Sequence, residues 1–310
     1  MIRLIRWLAF GYILWRWLGP EPKPQFSVPQ EHPLRLPGRS VFVGDRELFV
    51  RESGPPDAPP LVLIHGWATD TLFNWYKIIP LLSDRFHVIA IDQRNSGKSD
   101  YTRARYDIAD VADEIAALLG MLDVGRVPLV GYSMGGMIAQ EIAHRYPHLV
   151  EKLVLGGTAA TVTPTTADQL KMWSLLWLGR TWDRVSKAEF SWVRQRYLTR
   201  VGAVAPVHER WVWDSYLGRD VNLYYEGGFA VARFDSRSWV GRLSVEALIV
   251  IPTEDQLVDP SLQFELASLL KHAEVLELEG ARHESVLTHA EPFAEAIVEY
   301  LGDASATGAA

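Results

Sequence analysis

The chain has 310 residues, 48% of them hydrophobic and 22% charged, a composition with enough apolar material for a large globular core. A net charge of −7 excludes a surface built for nucleic-acid phosphates, which needs a concentrated excess of Lys and Arg. Cysteine is absent, which removes disulfides and thiolate metal sites, and His65, His87, His144, His148, His272, His283 and His289 are too scattered for a zinc-protease pair, so no metal site is expected.

Residues 1–18 form an amphipathic opening segment. From Ile2 to Leu18 nearly every side chain is apolar or aromatic, and Arg3, Arg6 and Arg16 fall in one sector of a helical wheel opposite a Trp/Leu/Ile face. The uncharged run Trp7–Trp15 is too short for a bilayer, which takes about 20 apolar residues. The small-x-small pattern of a cleaved export signal is missing where Gly19-Pro20-Glu21-Pro22 follows. The segment is therefore expected to lie on a membrane surface, making the protein peripherally membrane-associated. A helix packed on a cytoplasmic protein and an export signal are the alternatives. Prolines at 20, 22, 24, 29, 33 and 37 make residues 19–38 a stiff linker.

The runs Ser40–Val43 and Leu48–Glu52, joined by Gly44-Asp45, predict a β-hairpin. Leu61–Ile64 and Val88–Ile91 are apolar without alternation, as strands covered on both faces of a mainly parallel sheet are. Phe73–Leu82 between them reads as one helix, and Ile108, Val111, Ile115, Leu118 and Leu122 give a helical stripe. Strands follow at Val127–Val130 and Lys152–Gly157, and again at Ala247–Ile251 and Ala273–Leu278, with helices over Leu262–Leu270 and Pro292–Leu301. The stretch 161–243 differs: it holds Trp173, Trp177, Trp182, Trp192, Trp211, Trp213 and Trp239 at helical spacings and no parallel-strand run. It is expected to be a helical cap inserted into a core formed by residues 39–160 and 244–302. Some of its tryptophans are expected to line an apolar pocket. Residues 303–310 have nothing to bury and are expected to be disordered.

The chemistry concentrates at Gly131-Tyr132-Ser133-Met134-Gly135, where an apolar strand stops, one serine follows, and a helix opens that is read over Met137–Tyr146. So sharp a strand-to-helix turn leaves no room for side chains two residues either side of its apex, and the strained apex displays its hydroxyl. Ser133 is the expected nucleophile. A serine needs a base and the base an orienting carboxylate. His283, just past the last strand, supplies the first. Asp255, just past Ala247–Ile251, supplies the second, with Glu254 and Asp259 as rivals. The backbone N–H of Met134, at a helix N-terminus, is one donor for the oxyanion of acyl transfer.

With these residues the chain resembles the cap-bearing serine hydrolases of the α/β-hydrolase fold, from about Ser40 to Leu301. His65-Gly66-Trp67 is similar to the family's His-Gly-x oxyanion turn, and the resemblance implies the Trp67 N–H as the second donor. Asp92-Gln93-Arg94-Asn95-Ser96-Gly97-Lys98-Ser99 is similar to its Asp-x-Arg-Gly-x-Gly-x-Ser turn, with Asn95 where a glycine is usual; asparagine enters the left-handed region readily enough for the turn to survive. Asp92 is read as structural and His65 as a loop-stabilising hydrogen-bonder. The family's other position for the acid holds Thr158-Ala159-Ala160-Thr161, which adds weight to Asp255, and Arg282 stands where a small residue is usual. The resemblance implies a mostly parallel sheet flanked by helices, a Ser133–Asp255–His283 triad, and hydrolysis of a lipophilic or small-molecule carboxylic ester without a cofactor. C–C bond hydrolase, thioesterase and haloperoxidase-like chemistry share the triad. Epoxide hydrolases and haloalkane dehalogenases need a carboxylate at the apex, which serine does not supply. A membrane-tethered binding protein without turnover is the rival of another class.

Overall fold

The computed structural model describes residues 33–67 and 70–302, with Trp7, Gly11, Tyr12, Leu14, Trp15, residues 24–26 and Pro29 before them. The expectations for the amphipathic segment and the linker fall largely outside the described residues, and that for the tail 303–310 wholly so.

Eight strands form one sheet: β1 (Arg39–Val43), β2 (Arg46–Ser53), β3 (Pro60–Ile64), β4 (His87–Asp92), β5 (Val127–Tyr132), β6 (Val150–Gly156), β7 (Glu246–Pro252) and β8 (Ala273–Leu278). Their order is β1-β2-β4-β3-β5-β6-β7-β8, with β2 antiparallel to both neighbours and every other pairing from β4 to β8 parallel. The hairpin expected at the start turns at Gly44-Asp45, pairing Val43 with Arg46. The unalternating strands split their side chains between two cores. Leu61 and Leu63 of β3 enter one and Val62 and Ile64 the other, all fully buried. Each apolar side chain so buried stabilises the fold by roughly 1.5–3 kcal/mol, which is why a sheet without a polar face must be covered on both sides.

Helices α1 (Thr71–Trp75), α2 (Ile78–Leu82), α3 (Ile108–Leu122) and α4 (Met134–Arg145) follow the first strands. The single helix expected over Phe73–Leu82 is two short ones. Pro80 has no N–H for the carbonyl four residues back, and its ring crowds that carbonyl, so a continuous helix cannot run through Tyr76. Helix α4 begins three residues earlier than expected, because Gly135 and Gly136, weak helix formers, are held there by packing. Between β6 and β7 run α5 (Thr166–Val185), α6 (Lys187–Arg200), α7 (Glu209–Gly218) and α8 (Val221–Arg233), and after them α9 (Pro260–Leu269), α10 (Ser285–Thr288) and α11 (Ala290–Gly302).

Asp92 ends β4 with a fully buried carboxylate that accepts from the Arg51 guanidinium at 2.8 Å, the Thr71 N–H at 2.9 Å and the Lys98 N–H at 3.0 Å. It is the structural anchor read from the sequence, tying β2, α1 and the turn after β4 together. Gly97 is obligatory in that turn: its φ is 55°, and a Cβ would lie 2.2 Å from the Asp92 carboxylate. Asn95 takes the left-handed conformation expected of it, at φ 60°. Asp92→Ala leaves Arg51 buried and unpaired, so urea unfolding should show a loss of roughly 3–5 kcal/mol. An unchanged midpoint would mean that water replaces the carboxylate.

Candidate active site

At the carboxyl edge of the sheet, helix α4 approaches β5 and β3 so closely that only hydrogen atoms fit. A Cβ on Gly131 would lie 2.4 Å from the Gly135 carbonyl oxygen, and one on Gly135 would lie 2.0 Å from that of Ile64. The chain turns between them at Ser133, with φ 55° and ψ −120°, a conformation that strains any residue with a side chain. Strand, apex and helix stand as the motif implied.

The structure brings Ser133, His283 and Asp255 together from the ends of β5, β8 and β7. The Ser133 Oγ lies 3.1 Å from His283 Nε2, and His283 Nδ1 lies 2.8 Å from Asp255 Oδ2. Asp255 is itself fixed: its Oδ1 accepts from the N–H groups of Leu257 and Val258 at 2.8 and 2.9 Å, and its Oδ2 from the Gln263 side chain at 3.1 Å. Its rivals are engaged elsewhere. Asp259 caps α9 by accepting from the Ser261 N–H, and Glu254 lies on the surface, 3.8 Å from Arg282. A hydroxyl bonded to an imidazole that a buried carboxylate orients can pass its proton as it attacks.

Of the expected oxyanion donors, Met134 follows the serine directly, and the turn that leads into Trp67 lies against it. Met134 is the first residue of α4, so its N–H has no acceptor within the helix. The Gly66 turn abuts the serine, since a Cβ on Gly66 would lie 3.1 Å from Ser133 Cβ. Asn74 fixes that turn by accepting from the Gly66 N–H at 2.7 Å, and the Trp67 indole donates to the Tyr224 carbonyl of α8 at 2.5 Å. His65 is buried, and burial lowers its pKa. It accepts the Gln93 N–H at Nε2, 3.2 Å away, and its Nδ1 lies 2.8 Å from the Gly66 carbonyl, the bridging role read for it.

Three further residues serve the site without a sequence signal of their own. Tyr132 donates to the His283 carbonyl and lies 2.8 Å from the Ser285 hydroxyl, holding the loop that carries the imidazole. Gln263 and Asn74 are the others. Only Tyr132, adjacent to the apex, could have been suspected from position.

Above Ser133 is a cavity of about 360 Å³ lined by Trp67, Phe73, Met172, Leu175, Leu198, Tyr216, Tyr224, Val231, Val286 and Leu287, among others. The expectation that tryptophans of 161–243 line it is overturned: none of the seven does. Trp211 and Trp213 are buried, Trp239 stacks on His144 with centroids 4.3 Å apart, and Trp173, Trp177, Trp182 and Trp192 face outward. Tyrosines and aliphatic side chains take their place. One cation, Arg194 of α6, also lines the cavity. It donates to the Tyr224 hydroxyl at 3.1 Å, with no carboxylate among the described residues at ion-pairing distance.

The profile of the family described as alpha/beta hydrolase fold matches residues 59–290. The chain belongs to the α/β-hydrolase family. It is 28% identical over 263 residues to a non-heme chloroperoxidase of Streptomyces lividans, covering 79% of this chain and 92% of that one. To the 2-hydroxymuconate semialdehyde hydrolase of Pseudomonas sp. (strain CF600) it is 26% identical over 305 residues, covering 90% and 98%. The solved enol-lactonase of Burkholderia xenovorans LB400 superposes with a TM-score of 0.73 at 25% identity, over 85% of this α/β-hydrolase and 100% of that chain. An uncharacterized protein of Mycobacterium tuberculosis (strain ATCC 25618 / H37Rv) is 38% identical over 123 residues, and there the alignment spans only 35% of the relative's length.

Asp70, which caps α1 by accepting from the Phe73 N–H at 2.7 Å, has its pKa pushed up to about 6 by burial first and by the Asp92 carboxylate second. A carboxyl whose folded pKa is raised penalises folding increasingly as pH climbs from its ordinary value, 3.8, to about 6, and by a constant amount above that. Asp70→Asn keeps the cap and removes the charge. Its melting temperature should exceed that of the wild type at pH 8 and match it near pH 4, whereas an equal shift at both would assign the effect to packing.

Proposed function

We propose that this α/β-hydrolase is a cofactor-free serine enzyme that hydrolyses a lipophilic carboxylic ester through an acyl-enzyme on Ser133. The single observation carrying the reading is the continuous hydrogen-bonded line from Ser133 Oγ through His283 to the buried Asp255. Ser133 Oγ attacks the carbonyl carbon as His283 Nε2 takes its proton. The resulting oxyanion is met by the N–H groups of Met134 and Trp67. Collapse expels the alcohol, which leaves with the proton from His283. A water then gives its proton to His283, attacks the acyl carbon, and frees the acid and the serine. Asp255 keeps the Nδ1 proton in place and stabilises the imidazolium. In this reading helices α5 to α8 act as a cap over the core, and residues 2–18 rest on a membrane surface; the cytoplasmic and exported alternatives turn on that contact.

A second reading, C–C bond hydrolysis, is favoured by Arg194, whose lone guanidinium in an apolar cavity suits a substrate bearing an oxyanion. Thioester and haloperoxidase-like chemistry would use the same three residues. A binding protein without turnover has no need for the serine–imidazole–carboxylate alignment.

A fluorophosphonate probe should label the wild type and spare Ser133→Ala. Asp255→Asn should leave the circular dichroism spectrum intact and lower kcat roughly 10⁴-fold through loss of the correct tautomer. Asp259→Asn should stay close to wild type, and the reverse ranking would reassign the acid.

Each methylene buried in the cavity contributes about 0.8 kcal/mol, or about fourfold in binding. On p-nitrophenyl esters kcat/KM should therefore climb by about tenfold or more from acetyl to hexanoyl. A steady decline along that series would rule out the cavity as an acyl site.

A further inference from the structure

Helix α5 carries an apolar face that is exposed among the described residues. Leu170, Trp173 and Trp177 fall on one side of it at the spacing of three and four residues that stacks side chains along a helix, Leu178 flanks them, and Trp177 and Leu178 are 58% and 68% exposed. The opposite side, with Leu176 and Asp183, is buried. An outward ridge of two tryptophans and two leucines is costly in water, and apolar surface of this kind marks a contact with something else.

The charge around the ridge says what that is. Residues 166–200 hold seven Lys and Arg, one of which, Arg194, lines the cavity, against three Asp and Glu, in a chain whose net charge is −7. Of the three acids, Asp183 is buried against Arg219 and Glu189 accepts from the Tyr12 hydroxyl. Arg180 lies over the Trp177 ring at 5.8 Å and Arg196 over Trp192 at 5.3 Å, so the cations flank the aromatic surface. A second copy meeting this face about a two-fold axis would set cations against cations. An anionic lipid surface meets both features, since Trp suits the headgroup boundary and Lys and Arg suit the lipid phosphates.

Two further observations fix the orientation. Leu175 and Met172, from the same helix, line the cavity over Ser133, and Leu175 is 57% exposed, so the ridge and an open side of the cavity share one element. The Tyr12 ring stacks on Trp182 with centroids 4.7 Å apart and planes 9° from parallel, and lies 6.0 Å from the Trp15 ring, so the opening segment, with its exposed Trp7, Leu14 and Trp15, meets the same helix.

We infer that the outer face of α5 is a docking surface for an anionic phospholipid bilayer, holding the mouth of the cavity at the lipid. The inference deepens the proposed reading, since it makes the bilayer the source of the lipophilic ester.

Sedimentation of the full chain with phosphatidylglycerol vesicles and with phosphatidylcholine vesicles tests it. The wild type should partition to the anionic vesicles, more weakly as salt is raised. Trp177→Asp with Leu178→Asp, a change confined to exposed positions, should lower that partitioning by at least about tenfold while turnover of a water-soluble acetyl ester is unchanged. Trp7→Asp with Trp15→Asp measures the share of the opening segment in the same assay. Full retention of binding by the α5 variant would overturn the inference. So would a wild type that ignores vesicles but sediments as a dimer dissolved by the same substitutions, since the face would then pair two copies. Fluorophosphonate labelling of Ser133 in each sample keeps the hydrolase reading separate: an unlabelled wild type refutes that reading, whatever the vesicles bind.

Discussion

The distance between helix α4 and the strands β5 and β3 is the constraint on which the site depends. Gly131 and Gly135 carry no Cβ because backbone oxygens already occupy the space, and the chain can reverse between them only by forcing Ser133 to φ 55°. That strain has a use. It lifts the hydroxyl clear of the sheet edge, where loops from the more distant strands β7 and β8 can reach it. It also leaves the N–H of the next residue free at a helix start. Most of the core serves to hold this approach fixed, for the buried side chains of β3 and β5 fill the space on both faces of the sheet around it.

The parts of the molecule legible in the sequence are those with a local physical signature. The hairpin at Gly44-Asp45, the unalternating strands, the stripe on α3 and the glycines around Ser133 each encode their geometry within a few residues. Asp255 and His283 could be read because each follows a strand whose end is itself readable. Pro80 was an available signal too, and its effect on the helix after β3 is the ordinary one of a missing donor.

What lay beyond reach depends on contacts between distant segments. Spacing places the tryptophans of 161–243 on helices but does not say which way those helices turn. A face that is apolar on both sides gives the same pattern whether it lines a cavity or meets the outside. Tyr216, Tyr224 and Leu198 line the cavity instead, and no periodicity distinguishes them from core residues. Asn74 and Gln263 are equally silent, because a side-chain amide that fixes a turn leaves no imprint on its neighbours in sequence. Arg194 belongs with them: a cation on a mixed helix reads as solvated until its surroundings are known.

Tyr132 reaches across the site to the carbonyl of His283, a residue 151 positions later, and Ser133 meets the same residue's imidazole across 150. Contacts of such separation form late in folding, after the loops between them have closed. During synthesis the serine emerges with β5 while the strands that carry the carboxylate and the imidazole are still to be made. A nascent or truncated chain thus holds an isolated hydroxyl and no base. On the proposed reading of Ser133 as the nucleophile, the order of the strands along the chain withholds reactivity until the last of them has joined the sheet, and labelling of that serine would report that folding is complete.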